Sequence, residues 1–501
     1  MLATAPALRD VRTHFLGFGR PVPGAVTPGD HLQTAYNLWL PGHQVERAGR
    51  PWVDPYSFRP AAEPRTNFAG WPFALVWWPL DLVLDTVGAW NAFVLLTYVG
   101  AGGFAALWLR TLGLGLGAAL AGGLAFALAP YRVAQSTGHL LGPISMLLPL
   151  SLSAVETRRH GLAALAIASV PLSGQVHLAL GAIPFFAAYA VARRGWRAAV
   201  PGVAASLAAG VLVWAASLRG TTGTSGRTFD EVERYSARLS DFVSRDVREF
   251  EAFVLLGWLV PIAALAGLLV VARERPRLAA VLGAGAVLPL LLALGANLPG
   301  YRTLWEHTPL HDTRVPERLM PIACLALAGL LAFAVDRLRW RYAALAAVAL
   351  VAVDLRAGVG LYDPLNADEG NASYVVLRAS PPGRVLDVPV RPPGAYANSV
   401  YLYYTIRAPR ERVLGYSTAA PPAAARAARQ IRAALCDNRP RALRAMLRSL
   451  DVGYVVRHPA ARGDRPCNGV FATLVRAGYR NTFGAGRLGI LIDDGHVRPP
   501  S

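Results

Sequence analysis

The sequence contains no lysine, and charged residues of every kind are few. All 50 of its basic residues are arginine, and charged residues make up 16% of the 501 positions, whereas soluble domains carry about a quarter. Hydrophobic residues make up 54%, and the mean hydropathy is +0.35. We attribute the missing lysine to the base composition of a GC-rich genome. The shortage of charge and the apolar runs of about 20 residues predict an α-helical polytopic membrane bundle.

Several enzyme motifs are also missing. The sequence has no Gly-Lys-Ser/Thr phosphate loop, no dinucleotide-binding fingerprint, no HExxH motif and no Gly-x-Ser-x-Gly elbow, which argues against the enzyme classes that depend on them. Its three cysteines show neither CxxC nor Cys/His spacing, so they predict no zinc site. Cys436 and Cys467 lie in the polar tail, where they form either a disulfide or two separate thiols.

The order of apolar and polar stretches divides the chain into three predicted parts. Residues 1–86 form an extracytoplasmic N-terminal loop with a juxtamembrane helix and, at 68–84, an interfacial or re-entrant segment. Residues 87–356 form a transmembrane bundle of about ten helices, and residues 357–501 form an extracytoplasmic α/β domain. The predicted spans are 87–109, 114–130, 139–156, 161–174, 176–192, 198–218, 252–272, 278–296, 317–335 and 341–356.

A net charge of +19 can indicate binding to nucleic acid or to an anionic membrane, but membrane topology explains much of it here. Arginines cluster in every second loop of the bundle, and the positive-inside rule makes such loops cytoplasmic. The other loops, the N-terminal region and the tail then lie on the outer side of the cytoplasmic membrane. The transmembrane bundle is expected to contact membrane lipids. The arginine-rich loops are those at Arg110, Arg158–Arg159, Arg193–Arg197, Arg273–Arg277 and Arg337–Arg341.

The first residues do not form a signal peptide, because Met1–Arg20 has no apolar core of the required length. An outside N-terminal region with no preceding span is unusual under the orientation rule. We therefore expect a first transmembrane helix upstream of Met1.

The tail alternates between strand-like and helical patterns, which predicts a small α/β domain. A long helical pattern covers Ala423–Leu450, with a break near Asn438–Pro440. The predicted strands are Gly383–Val390, Ser399–Ile406, Arg412–Tyr416, Val452–Val456 and Leu488–Ile492.

The stretch Gly29–Trp39 holds the carboxylate that is most interesting for chemistry. Asp30 opens a predicted juxtamembrane helix in which Leu32, Tyr36 and Trp39 share an apolar face. Asp30 can be the N-cap of that helix, with Gln33 completing a capping box. It can also accept a proton from a hydroxyl at the mouth of the bundle.

Histidines at the predicted outer ends of helices are further candidates. His31, His139 and His177 would converge with Asp30 in an acid/base or metal site, or they are ordinary interfacial histidines.

Three arginines, Arg132, Arg314 and Arg318, lie at the predicted outer rim. Arginine suits two-pronged binding of a phosphate. The alternatives are lipid headgroups or ion pairs with Glu317 or Asp312.

Carboxylates also occur in other regions that are predicted to lie outside the membrane. Asp81 lies in an apolar stretch, where an ionisable group is costly and often functional; alternatively it stays hydrated at the interface. Asp54-Pro55-Tyr56 reads as a turn. The mixed charges of residues 220–251 indicate a solvated helical face, or a lid over the cavity.

The chain resembles the bacterial polytopic membrane glycosyltransferases of the GT-C class. These proteins combine an acidic residue in the first extracytoplasmic loop, a juxtamembrane helix, many spans and often a C-terminal extracytoplasmic domain. The stretches that carry the resemblance are Gly29–Leu32, Asn37–Trp39, Asn91, Ala127–Arg132, Gly138–Leu140 and Arg314–Arg318.

The resemblance implies transfer of a sugar from a polyprenyl-phosphate donor to an envelope glycan or lipid acceptor. Asp30 takes the position of the catalytic acid, as a general base or as ligand of a divalent metal ion, the one cofactor left open. His31 and His139 would assist it. The residues expected to bind substrate are Arg132, Arg314, Arg318, His177 and Asp81.

Two other functions compete with this interpretation. A transporter or flippase of envelope precursors predicts ionisable residues within the spans and internal repeats, and the sequence shows almost no charge inside the spans and no clear repeat. A non-catalytic envelope-assembly protein would need no acid at the Asp30 position.

Overall fold

The computed structural model describes residues 10–17, 21–22, 24–220, 228–246, 253–338, 342–356, 363–367, 372–417, 420–461, 464, 467–485 and 488–493. Up to residue 356 most of the described residues are helical, because the Ala- and Leu-rich apolar runs favour helices. These helices are α1 Asp30–Glu46, α2 Ala74–Thr111, α3 Leu116–Ala127, α4 Pro130–Ser136, α5 Leu141–Ile144, α6 Leu147–Glu156, α7 His160–Leu172, α8 Val176–Arg194, α9 Trp196–Gly220, α10 Phe229–Tyr235, α11 Leu259–Glu274, α12 Pro276–Ala293, α13 Tyr301–His307, α14 Met320–Asp336 and α15 Ala343–Asp354.

Helix α2 is broken at Asp85, whose φ of 61° and ψ of 176° are not helical. The Asp85 Oδ1 atom accepts hydrogen bonds from the backbone N–H groups of Val87 and Gly88, at 3.0 and 2.9 Å. It thereby caps the second half of the helix. The first half exposes apolar side chains such as Leu82 and Val83. The predicted interfacial segment falls on this half, although its position at a membrane surface stays a prediction.

Helices occupy every predicted span, but fewer of them are long enough to cross a membrane. Within the described residues, five helices have the length and hydropathy of a span, and a sixth is formed if α3 and α4, bent by 52°, count as one. The other apolar helices fall short because residues such as Pro130 and Gly174 end the runs before about 20 residues. The prediction of about ten spans is higher than this number.

Helix α14 is the centre of the bundle. Its side chains are buried on almost every face, and it packs against α11, α12 and α3. At Gly267 of α11 a Cβ atom would lie 1.8 Å from the carbonyl oxygen of Leu330. The two helix backbones can therefore approach so closely only with glycine at this position, as is common between membrane helices.

The strands are β1 His14–Gly17, β2 Val53–Asp54, β3 Arg65–Thr66, β4 Asp363–Asn366, β5 Arg384–Val388, β6 Val452–Arg457, β7 Tyr479–Ala485 and β8 Leu488–Asp493. The tail forms a domain with a four-stranded sheet of order β5-β6-β8-β7. Strands β5 and β6 are parallel, and β8 pairs antiparallel with both β6 and β7. Helices pack on the sheet around leucine, isoleucine and valine side chains. The tail elements are α16 Ala372–Ala379, β5 Arg384–Val388, α17 Ser399–Arg407, α18 Pro422–Cys436, α19 Pro440–Ser449, β6 Val452–Arg457, α20 Val470–Arg476, β7 Tyr479–Ala485 and β8 Leu488–Asp493.

Comparison with the predicted elements of the tail is mixed. The strands near 385, 454 and 490 and the long helix broken before Pro440 are confirmed. The prediction of a strand at Ser399–Ile406 is wrong, because this segment is helix α17. Its side chains are buried on nearly all sides, and such packing overrides the β-propensity of tyrosine and valine. At Arg412–Tyr416 only an isolated bridge forms, between Arg412 and Val385.

The tail is tied to the N-terminal region by backbone and side-chain contacts. Strand β1 (His14–Gly17) pairs antiparallel with β4 (Asp363–Asn366). Helix α17 packs along α1, and the backbone N–H of Gly29 donates to Ser399 Oγ at 3.0 Å. The beginning of α1, where Asp30 lies, is therefore in contact with the domain that follows the bundle.

Candidate active site

Asp30 is the first residue of α1, and Gly29 occupies the N-cap position without a side-chain cap. The Gln33 side chain does not reach back to the helix start, since its Nε2 donates to the Tyr416 carbonyl at 3.3 Å. The capping-box interpretation of Asp30 and Gln33 is therefore wrong. The Asp30 carboxylate is free of that structural duty.

The Asp30 carboxylate contacts side chains from two other parts of the chain. Tyr416 donates its hydroxyl to Asp30 Oδ1 at 2.8 Å, and His139 Nε2 lies 3.4 Å from Asp30 Oδ2. The Asp30 and His139 side chains are 22% and 21% exposed. A half-buried carboxylate thus lies between a tyrosine hydroxyl and an imidazole, with access to solvent. We call these three residues the Asp30 cluster.

Backbone contacts hold His139 beside α1. Thr34, one turn after Asp30, donates its hydroxyl to the carbonyl of Gly138 at 2.6 Å. The backbone N–H of His139 donates to the Gln135 carbonyl at the end of α4, at 3.0 Å. The loop between α4 and α5 is therefore anchored to the helix that carries the acid.

Tyr416 reaches Asp30 from a segment that runs beside the loop after α1. Backbone hydrogen bonds join Arg412 N–H to the Tyr56 carbonyl at 2.7 Å and Arg59 N–H to the Arg412 carbonyl at 2.8 Å. Burial and then the Asp30 charge raise the pKa of the Tyr416 hydroxyl well above its ordinary value. The hydroxyl therefore stays protonated and donates to the carboxylate. The sequence predicts a strand over Arg412–Tyr416, and nothing in its pattern indicates that Tyr416 belongs to the site.

Arg314 lies near the Asp30 cluster. Its guanidinium is 3.5 Å from Glu231 Oε1 on α10 and 6.0 Å from the centre of the Tyr235 ring, and its charge acts on the Tyr416 hydroxyl. Helix α10 thus covers Arg314 from the predicted lid region 220–251. Within that region Arg227 lies outside the described residues.

His177 and Arg318 come together in a second place. They line a hollow of about 10 Å³ with Tyr301, Thr313 and other residues. A hollow of this size has room for about one water molecule. The predicted phosphate site at Arg318 would therefore need the surrounding helices to move apart.

His31 faces away from solvent, although it follows Asp30 directly. Its ring lies 5.2 Å from the Phe15 ring and 6.2 Å from the Trp90 ring. Burial lowers the pKa of His31 to about 3, so the ring stays neutral. A Cβ atom at Gly29 would lie 2.2 Å from this ring, so the ring fits only because residue 29 is glycine. This position favours packing over the predicted catalytic role, which stays untested.

Arg132 is completely buried rather than at an outer rim. Its guanidinium donates to Ser145 Oγ at 3.1 Å and to the carbonyls of Ala127 and Thr97 at 3.1 and 2.9 Å. These bonds satisfy carbonyl groups at the end of α3 and within α2. The geometry therefore does not support Arg132 as a phosphate-binding residue.

Asp81 lies far from the Asp30 cluster. Its electrostatic neighbours include Glu46, the last residue of α1, and Arg407 at the end of α17. A helix rises 1.5 Å per residue, so the two ends of α1 are roughly 24 Å apart. The structure thus places Asp81 near the other end of α1 and does not bring it together with Asp30.

A polar cavity of about 270 Å³ opens one turn along α1 from Asp30. Tyr416 lines it and donates to Asp30 at the same time. The main lining residues are Gln33, Tyr36, Asn37, Asp54, Ser57, Arg65, Thr66, Asn67, Tyr416 and Ser417. Asp54 holds the turn predicted from the sequence, but its position in this cavity was not predicted.

In the described part of the chain, no three His, Cys, Asp or Glu side chains form a group that could hold a metal ion. Asp30 and His139 would supply two ligands, which do not make a complete site, so a divalent ion stays a prediction. Cys436 and Cys467 form a disulfide with Cα atoms 4.8 Å apart, which resolves the alternatives for this pair. It links the end of α18 to the segment before α20.

Solved structures share this architecture, whereas no family model and no curated protein matches the sequence. Arabinofuranosyltransferase AftD from Mycobacteria is similar at 18% identity and a TM-score of 0.60, with 98% of this chain aligned to 39% of that chain. ArnT from Cupriavidus metallidurans is similar at 14% identity and a TM-score of 0.54, with 100% of this chain aligned to 98% of that chain. The chain spans less than half of the AftD chain. It is a multi-pass membrane protein with the fold of the GT-C glycosyltransferases.

Proposed function

We propose that the chain is a membrane glycosyltransferase that moves a sugar from a polyprenyl-phosphate donor to a hydroxyl of an extracytoplasmic envelope acceptor. The observation that carries the proposal is the half-exposed Asp30 carboxylate, which is held between Tyr416 and His139 beside a polar cavity. The GT-C fold and the sequence motifs that resemble this class support the choice of donor.

Sugar transfer requires a general base and binding sites for the donor and the acceptor. The acceptor oxygen attacks the anomeric carbon of the donor sugar, and the bond from that carbon to the phosphate oxygen breaks. Polyprenyl phosphate leaves with the bonding electrons, and the acceptor proton passes to the Asp30 carboxylate. His139 is close enough to orient the carboxylate or to take the proton onward.

A cation is needed where the leaving phosphate gains charge. Arg314 is 28% exposed and close enough to Tyr416 to act on its hydroxyl. An arginine at this place can stabilise the phosphate by charge-assisted hydrogen bonds. We therefore assign donor-phosphate binding to Arg314 rather than to Arg132 or Arg318.

The reaction would take place outside the cytoplasmic membrane. The arginine-rich loops alternate with the loops that carry His139 and Arg314, and by the positive-inside rule the arginine-rich loops face the cytoplasm. The Asp30 cluster and the tail domain then share the outer side. Labelling of single introduced cysteines in the tail with an impermeant maleimide on intact cells would test this arrangement.

Replacing Asp30 by asparagine tests the function directly. We expect Asp30→Asn to lower sugar transfer from a radiolabelled polyprenyl-phosphate sugar roughly 100- to 10,000-fold, the range for loss of a general base. The measurement is incorporation of label into envelope acceptors in membranes that contain equal amounts of each variant.

Asp241→Asn is the matched control. Asp241 is a carboxylate of the outer loop that accepts a hydrogen bond from the Arg238 backbone at 2.8 Å, and its replacement should leave transfer unchanged. Full transfer by Asp30→Asn would rule out the general base and leave the transporter or assembly function to be tested.

A further inference from the structure

The cavity beside Asp30 is lined by a buried carboxylate, Asp54, that uses only one of its two oxygens in the hydrogen bonds that hold it. Asp54 is 3% exposed. Its Oδ1 accepts hydrogen bonds from the Tyr36 hydroxyl at 2.7 Å and from the backbone N–H groups of Tyr56 and Ser57 at 2.9 and 3.3 Å. Among the described residues, no hydrogen bond to Oδ2 accompanies them. A carboxylate oxygen that can accept further hydrogen bonds is thus held at a fixed position in the wall of the cavity.

Amide and guanidinium groups complement this carboxylate. Asn67 donates a hydrogen bond from its side-chain amide to Asn37 Oδ1 at 2.9 Å. This bond uses the oxygen of the Asn37 amide, so its N–H groups can donate to a ligand in the cavity that Asn37 lines. Arg65 lies over the Phe58 ring at 4.9 Å, and its buried Nε has no hydrogen-bond partner among the described residues. The cavity thus offers both donors and acceptors at fixed positions, which is what a ligand with many hydroxyl groups requires.

The geometry of α1 links the cavity to Asp30. Asp30, Gln33 and Asn37 are spaced i, i+3 and i+7, so they lie on one face of the helix. Gln33 and Asn37 line the cavity, and Tyr416 contacts both the cavity and the Asp30 carboxylate. A ring seated in the cavity would therefore have its nearest hydroxyl directed along α1 toward Asp30.

The volume limits the ligand to about one ring. Pockets for drug-sized ligands begin at about 300 Å³, and this cavity measures about 270 Å³. The buried Asp54 charge disfavours a ligand that carries a carboxylate or phosphate at that position.

We propose that this cavity is the acceptor subsite and binds one neutral sugar ring, with Asp54 Oδ2 accepting hydrogen bonds from ring hydroxyls and Asn37 donating to another. The proposal rests on the proposed function, since it assigns the acceptor to the site beside the general base. Asp54 and Asn37 bind substrate, and neither takes the proton.

The test separates acceptor transfer from transfer to water. Full-length protein in detergent is given a radiolabelled polyprenyl-phosphate pentose or hexose, with or without methyl glycosides of neutral pentoses and hexoses. We expect Asp54→Asn to raise the KM for the methyl glycosides about 10- to 100-fold, as for hydrogen bonds to a charged partner. Asn37→Ala removes a hydrogen bond between neutral groups and should raise this KM less, about 2- to 10-fold. The rise in this KM should exceed any change in donor hydrolysis measured without the glycosides.

The asparagine at residue 54 keeps an Oδ1 for the three structural hydrogen bonds, so the variant should fold. The matched control is Asp85→Asn. Asp85 also accepts hydrogen bonds from two backbone N–H groups through Oδ1, but it lies at the break in α2 and does not line the cavity. It should leave the KM unchanged. A methyl hexuronoside should be a poorer acceptor than its neutral counterpart, and Asp54→Asn should narrow that difference.

Two results would overturn the proposal. One is an unchanged KM in both cavity variants. The other is a parallel loss of donor hydrolysis and acceptor transfer, which would mean that the cavity holds the donor sugar.

Saturation-transfer NMR with the same methyl glycosides distinguishes this failure from that of the proposed function, because it needs no turnover. In one outcome the parent protein binds the glycosides, Asp54→Asn does not, and neither turns over the donor. This outcome would contradict the proposed glycosyltransferase function but support the sugar-binding site. Donor turnover together with equal glycoside binding by the parent and Asp54→Asn would contradict the sugar site alone.

Discussion

Two clusters in this chain combine a carboxylate, a histidine and a tyrosine hydroxyl, but they differ in access to solvent. In the Asp30 cluster the carboxylate and histidine side chains are 22% and 21% exposed. In the tail domain the side chains of Asp387 and His458 are 0% and 2% exposed. Aspartate, histidine and tyrosine occur in both clusters, so their surroundings, which include a buried arginine in the second cluster, decide what each group can do.

The second cluster, formed by Asp387, Arg412, His458 and Tyr374, is internally paired. Arg412 Nη1 lies 2.6 and 2.7 Å from the two Asp387 oxygens. His458 Nε2 is 2.9 Å from Asp387 Oδ1 and 3.1 Å from the Tyr374 hydroxyl. Burial alone would raise the pKa of Asp387, but the Arg412 guanidinium and the His458 ring outweigh it, and the pKa is lowered.

This difference in access explains why the Asp30 cluster can take part in catalysis, whereas the Asp387 cluster can only stabilise the fold. The Asp387 charge is neutralised by a buried arginine and shielded from any ligand. Asp30 is held by a tyrosine hydroxyl and a histidine and remains accessible, so that a substrate hydroxyl can reach it. The Asp387 cluster instead joins β5, β6, α16 and the Arg412 segment that leads to Tyr416.

Exchanging each carboxylate for its amide should give the largest contrast. We expect Asp30→Asn to lose most sugar transfer, as above, while the unfolding free energy changes by less than about 0.5 kcal/mol. Asp387→Asn should instead lower the apparent melting temperature, since Arg412 is left buried without its counter-charge, and the remaining folded protein should keep its specific activity. Thermal unfolding in detergent and transfer assays on the same samples check both outcomes; a stable but inactive Asp387→Asn would contradict the assignment.

Removing one or both members of the buried ion pair gives the next largest effect. Arg412→Met should destabilise the folded protein by about 3–5 kcal/mol, because an uncompensated charge stays buried. The double variant Arg412→Met with Asp387→Leu should recover part of this loss, because it buries no charge. Denaturation of the three proteins side by side measures the difference. A double variant no more stable than Arg412→Met would show that the uncompensated Asp387 charge is not the cause of the loss.

The two tyrosines can be compared by the same substitution. Tyr416→Phe removes a hydrogen bond to a charged carboxylate, which contributes about 1.5–3 kcal/mol to stability. It also releases the Asp30 carboxylate from its fixed position, so transfer should fall roughly 10- to 100-fold as well. Tyr374→Phe should cost about 1 kcal/mol of stability and leave transfer unchanged. Initial transfer rates and melting temperatures of both variants test this, and equal transfer losses would indicate an indirect effect through the tail.

The smallest effect concerns pH. The unfolded chain protonates His31 below about its ordinary pKa of 6.5, whereas the folded chain does so only at about 3. Acidification through this window therefore favours the unfolded state, by at most about 1.4 kcal/mol per pH unit. His31→Leu should flatten the fall in melting temperature between pH 6.5 and 4, whereas His307→Gln, at an exposed position, should not. A loss of transfer in His31→Leu at pH 7 would instead support the predicted catalytic role.

The sequence was sufficient for the parts of the fold that follow from local pattern. Apolar runs placed the helices, and the acid before the amphipathic helix α1 singled out Asp30. Local pattern could not show which way a polar side chain faces, so fully buried Arg132 and half-buried Arg314 looked alike. Nor could it reveal Tyr416, because the hydrogen bond to Asp30 spans 386 positions of sequence and depends on how the tail packs against α1.

That long separation has a consequence for the order of events during synthesis. At a translation rate of about 5–20 residues per second, roughly 20–80 s pass between the appearance of Asp30 and that of Tyr416, given their separation of 386 residues. During this time the nascent chain has the acid and, once residue 139 is made, its histidine loop, but it has neither the Tyr416 hydroxyl nor the cavity wall that residues 402–417 contribute. A chain released before residue 416 would insert most of its membrane helices and still be inactive, so termination late in the gene should yield membrane-inserted, silent protein.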